Sequence, residues 1–139
     1  MTYVSPRIDE PAPAYFVHSA LIAFPIACFT LTVITDIAYW QTLNLLWLHF
    51  SEWLLLAGIV FGVFAALARL IDLIVRKVRP SWLAIFAGVV VLLLATLNSF
   101  IHTADGLTAV VPFGILVSVL TVVAMIVTGW LGQTEVRHV

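Results

Sequence analysis

An all-α integral membrane protein, an antiparallel four-helix bundle with short loops, is the fold class that this sequence predicts. Three observations predict it. Hydrophobic residues make up 63% of the chain and charged residues 9%, whereas about a quarter of a soluble domain is charged. Four apolar runs, each long enough to cross a ~30 Å hydrocarbon layer as a helix, follow one another with little between them. They do not alternate and are too long for barrel strands. Finally, the basic residues outside the apolar runs sort to one side of a four-span map. The 139 residues make one membrane domain.

Residues 1–13 read as an extended polar tail, because Pro6, Pro11 and Pro13 each remove a backbone donor and fix φ. The tail also carries Asp9 and Glu10 beside Arg7, and no small-residue cleavage site follows a short apolar core. A retained first span is therefore expected rather than a signal peptide. That span runs over 15–40, with Pro25 as an expected kink and Asp36 near its far end. Residues 41–48 are expected as the first connection. The second span, 49–75, contains Gly58 and Gly62 as a G-x-x-x-G pair, with Ala66 one turn on; small residues at that spacing let another helix approach closely. Arg76-Lys77-Val78-Arg79-Pro80 turns the chain. The third span is 82–101, with Asn98 near its exit. A polar turn, His102 to Gly106, leads to the fourth span, 107–131, with Pro112 in its first turns. Residues 133–139 form a second polar tail.

Charge gives the orientation. Arg7, Arg76, Lys77, Arg79 and Arg137 fall on one side and no Lys or Arg on the other, which places both termini in the cytoplasm and the protein in a bacterial inner membrane. Tyr39, Trp40, Trp47 and Trp53 are expected as the outer aromatic belt, and Tyr15, Trp82 and Trp130 as the inner one.

Several stretches, in order along nearly the whole chain, resemble a bacterial membrane-protein family catalogued as a domain of unknown function, number twenty-two thirty-one. They are His18-Ser19-Ala20-Leu21-Ile22-Ala23-Phe24-Pro25-Ile26, Thr35-Asp36-Ile37-Ala38-Tyr39-Trp40, Ala65 to Asp72, Asn98-Ser99-Phe100-Ile101-His102, and Gly129-Trp130-Leu131-Gly132 through Arg137-His138. The resemblance implies a four-helix membrane fold and no particular activity. The family's opening His-Pro is His18-Ser19 here, a histidine often found beside its Phe-Pro is Ala23, and its closing Arg-His-Gly-Val is shortened to Arg137-His138-Val139.

Composition and motifs exclude several functions. A net charge of -1 gives no reason to expect a nucleic-acid partner. Cys28 is the single cysteine, which excludes an intramolecular disulfide and a cysteine-based zinc site. There is no Gly-x-Ser-x-Gly, Walker loop, His-Glu-x-x-His or Cys-x-x-Cys-His, so enzymatic activity of the chain alone is not expected.

Ionisable groups in a bilayer are functional candidates by default. His49 and Glu52 are three apart on one helix face, and Asn98 and His102 four apart on the next helix. His49 and His102 are expected at similar depth. They could ligate a b-type heme, with the second ring nitrogen of each donating to Glu52, Asp36 or Asn98. The same groups, His49, His102, Asp36 and Glu52, could instead hold a metal ion or pass protons. The plain alternative is a set of wetted side chains at headgroup depth. On the basic side, His18 and His138 are a second candidate axial pair. Arg69 could meet a quinone carbonyl or a heme propionate; its plain reading is an ion pair with Asp72. Two functions of different class follow. One is a small electron-transfer subunit that binds b-type heme and passes electrons between a periplasmic redox partner and quinone. The other is a non-catalytic accessory subunit of a larger membrane complex, held in lipid by its apolar faces and small-residue seams.

Overall fold

The structure is a computed structural model that describes residues 13–75, 82–104 and 110–136, with side chains over 20–75, 82–103 and 110–131. Its helices are α1 (Pro13–Thr42), α2 (Leu45–Val75), α3 (Trp82–Ala104) and α4 (Ile115–Val136), and a short π-type turn, Val110–Gly114, leads into α4. The bundle is a ring: α2 packs on α1 and α3, α3 on α4, and α4 closes back on α1. No strand occurs among the described residues.

The first connection is shorter than expected. It is two residues, Leu43 and Asn44, in place of 41–48. Leu43 takes a left-handed φ of 52°, which ends α1, and its N–H bonds back to the Tyr39 carbonyl at 2.7 Å. The Asn44 side-chain oxygen then accepts the Leu46 N–H at 3.0 Å, capping α2 at once. An apolar run that starts with Leu45-Leu46-Trp47-Leu48 needs no further linker once that cap is in place. At the same end of the bundle, Val111 is extended (φ -117°, ψ 118°), as a residue before proline prefers, so regular α4 begins only after Pro112.

Helix length and surface agree with a membrane setting. Four spans qualify by length and hydropathy: Ala20–Thr42, Leu45–Val75, Trp82–Thr103 and Val110–Leu131. Large apolar side chains such as Phe64, Ile71, Leu93, Phe100, Leu116 and Ile126 lie on the outside, where lipid is their solvent. Trp40, Trp53, Trp82 and Trp130 are also exposed, as belt residues must be. Tyr39 differs from expectation: it is buried and packs with Leu48 and Val110. At 31 residues α2 is about 46 Å long, longer than the ~30 Å hydrocarbon layer.

Three layers stack along the bundle axis. Nearest the Leu43–Asn44 turn, Tyr39, Leu48 and Val110 pack with the partly buried Trp47 and Val111. Below them is a layer of buried polar side chains: Thr35, Asp36, Ser51, Asn98, His102 and Ser118. Below that, Phe29, Leu55, Val91 and Ala95 form an apolar cluster with Ile59, Val122, Ala124 and Met125 against it. α1 and α2 contribute to all three. Tyr39 stands one turn above Asp36, and Phe29 two turns below it. Leu48 and Leu55 bracket Ser51 on α2.

Candidate functional site: a carboxylate shared by four helices

Asp36 is the centre of the polar layer. Its side chain is wholly buried, so in a low-dielectric interior every lone pair left unmatched is costly. The structure matches them from the other three helices. Ser51 of α2 donates to Oδ1 at 2.5 Å, and His102 Nε2 of α3 meets the same oxygen at 2.9 Å. Ser118 of α4 donates to Oδ2 at 2.5 Å. One α1 carboxylate thereby ties α2, α3 and α4 together.

A second ring of contacts orients those donors. Asn98 Nδ2 donates to Ser118 Oγ at 2.7 Å, so the serine proton is left for Asp36. Thr35 Oγ1 lies 2.7 Å from Ser51 Oγ and also faces the Leu31 and Thr32 carbonyls at 3.1 Å and 3.0 Å. The Ser51 proton is committed to Asp36, so Thr35 is the donor in any hydrogen bond between the two hydroxyls. Gly114 gives the imidazole its room: a Cβ there would lie 3.2 Å from His102 Cε1.

The imidazole itself is doubly engaged. His102 Nδ1 is 2.9 Å from the Asn98 carbonyl oxygen, one turn back on α3. A carbonyl can only accept, so Nδ1 carries a hydrogen. A further proton lies between Nε2 and Asp36 Oδ1. Placed on nitrogen it makes an imidazolium–carboxylate pair; placed on oxygen it makes a neutral imidazole and a carboxylic acid. The formal charge of the pair is zero in both cases. Taking that proton away would leave a net negative charge between four helices, and adding one would leave a net positive charge. Both are expensive in an enclosed interior.

The candidate residues thus separate into distinct places. Asp36, His102 and Asn98 come together inside the bundle. His49 does not join them. Its side chain is 63% exposed and pairs along α2 with Glu52, Nδ1 to Oε2 at 3.3 Å. Asp36 and His102, by contrast, are fully buried. Among the described residues no group of three or more His, Cys, Asp or Glu side chains converges as a metal site would. Arg69 and Asp72 lie half-buried, one turn apart on α2. His18 stands in the first turns of α1 with its side chain outside the described residues; His138 and the Arg76–Pro80 turn lie outside them altogether.

Sequence reasoning missed Ser51, Ser118 and Thr35. A signal for Ser51 existed. Asp36 and Ser51 are equidistant along the chain from the Leu43–Asn44 turn, so two antiparallel helices must bring them level. Placing the start of the second helix at His49 hid that symmetry.

The G-x-x-x-G pair lies in the apolar layer. A Cβ on Gly58 would sit 2.5 Å from the Phe29 ring and 3.1 Å from Cys28 Cβ, and one on Gly62 would sit 2.8 Å from Leu92 Cδ2. The close approach is therefore made within the chain, to α1 at Gly58 and to α3 at Gly62.

No curated protein and no solved structure matches the chain. Over residues 15–139 it matches the model of a family described as a predicted membrane protein, DUF2231. Four apolar spans closed around one buried polar layer give that description its physical content, and the chain belongs to the DUF2231 family of membrane proteins.

Proposed function

We propose that the protein is a non-catalytic accessory subunit of a larger assembly in the bacterial inner membrane, and that its polar layer is a clip that fixes the register of the four helices. The observation that supports this is the saturation of Asp36. Three side chains hydrogen-bond to it among the described residues, apolar layers close it above and below, and the outer faces of the helices are apolar. The buried ionisable groups are thus spent on one another, and lipid or an apolar partner helix is what the outside can meet. The five basic residues gathered on one side support an arrangement with both termini in the cytoplasm.

Electron transfer through a b-type heme is the competing reading. For His102 to ligate iron it would have to release either Asp36 from Nε2 or the Asn98 carbonyl from Nδ1. His49, the expected opposite ligand, faces outward. A quinone at Arg69, and a second heme between His18 and His138, rest on sequence position alone.

One preparation tests the two readings. The protein, expressed with ample heme and extracted in mild detergent, is expected to give a featureless reduced-minus-oxidised spectrum and to migrate on a native gel with a larger assembly. Sharp b-type bands would replace the clip with a heme site. Migration as a free subunit would remove the accessory role. Orientation is checked with a cysteine placed at Val78 in a Cys28→Ser background; labelling by an impermeant reagent from the medium would invert the topology.

A further inference from the structure

The polar layer has one unmatched atom. Asn98 is wholly buried, yet its Oδ1 has no hydrogen-bond partner among the described residues. The amide cannot relieve this by turning over. Ser118 gives its one proton to Asp36 Oδ2, so toward Asn98 the serine oxygen can only accept, and the amide must present Nδ2. With Oδ1 in place of Nδ2, two acceptors would face each other. Asp36 therefore fixes, through Ser118, which end of the Asn98 amide is left over.

Leaving a buried acceptor unmatched is costlier than ordering one water beside it. Polar interiors resolve this mismatch with internal water, which joins otherwise unsatisfied buried groups. We infer that Asn98 Oδ1 is the acceptor of a binding site for a small neutral hydrogen-bond donor, a single internal water. The charge and size of the ligand follow from the surroundings. The Asp36–His102 pair beside it sums to zero charge, so the layer offers a cation no net countercharge. The full burial of Asn98 disfavours a bulky donor. The inference is independent of the accessory role: a clip or a heme protein could each hold this water.

Infrared spectra of the protein in lipid, hydrated with ordinary or oxygen-18 water, read this site directly. The wild-type protein is expected to show an O–H stretching band of an isolated water that shifts with the oxygen isotope. Asn98→Leu is expected to lose that band and His49→Ala to keep it. A wild-type spectrum without an isotope-sensitive band, or a band unchanged in Asn98→Leu, overturns the assignment. Should Asn98→Leu fail to fold, an experimental density map of the wild-type chain decides. A solvent peak within hydrogen-bond reach of Asn98 Oδ1 supports the site. A protein donor in that position, or no peak, overturns it.

Discussion

The two buried layers of this bundle hold helices together in opposite ways. In the polar layer, Asp36 draws Ser51, His102 and Ser118 inward through directional bonds. In the apolar layer, Gly58 lets Phe29 and Cys28 approach, and Leu55, Val91 and Ala95 fill the space without a polar atom. Between membrane helices, lipid tails compete with apolar side chains on nearly equal terms, so association rests on close packing and on hydrogen bonds. The apolar layer supplies the first and tolerates small adjustments. The polar layer supplies the second and tolerates few, because each donor has one acceptor at one angle and a mismatch is left in an interior without bulk water. Proximity and register are therefore separable tasks, divided here between two levels of the same four helices.

Substitutions test that contrast. Asp36→Ala should have the largest effect, about 3–5 kcal/mol, since removing one member of a buried pair strands the other. Unfolding by a denaturing detergent, followed by circular dichroism, measures it; a loss no larger than that of an ordinary core truncation would reduce the carboxylate to one packing residue among many. Gly58→Ala comes next. The added Cβ collides with the Phe29 ring, and overpacking of this kind costs about 1–3 kcal/mol; an unchanged midpoint in the same titration would mean that α1 and α2 separate freely there. Ser118→Ala should cost about 0.6–2 kcal/mol, the range for hydrogen bonds between membrane helices. It should also be non-additive with Asn98→Leu in a double-mutant cycle, because both bear on the same serine oxygen; additive losses would separate Asn98 from the Asp36 network. His49→Ala should shift the midpoint by less than about 0.5 kcal/mol, as exposed ion pairs contribute little. A larger loss would show that polar stabilisation extends beyond the enclosed layer.

Much of the fold was legible because long apolar runs admit few structures in a bilayer. Asp36, His102 and Asn98 were legible as candidates for the same reason: polar groups are rare within such runs. Their partners were not. Ser51 and Ser118 are ordinary residues in apolar helices, and only their level along the axis makes them donors to Asp36. That level depends on where each helix starts, which turned on Leu43 adopting a left-handed φ and on Asn44 capping Leu46. A few residues of uncertainty at a helix end move a side chain to another turn, and so out of reach of a particular carboxylate. His49 and His102 illustrate the related uncertainty in facing. Similar depth was foreseeable, but one ring points outward and the other inward, and rotation about a helix axis follows from packing.

Hydrophobic run length determined, from the chain alone, that four helices are long and apolar enough to cross a membrane, because that feature acts through bulk transfer free energy and needs no partner residue. The three-dimensional packing decided which polar groups meet: a carboxylate on α1, an imidazole on α3 and hydroxyls on α2 and α4 lie up to 82 positions apart. Their hydrogen bonds exist only when phase, level and spacing of all four helices are fixed together, and no local stretch of sequence carries that information.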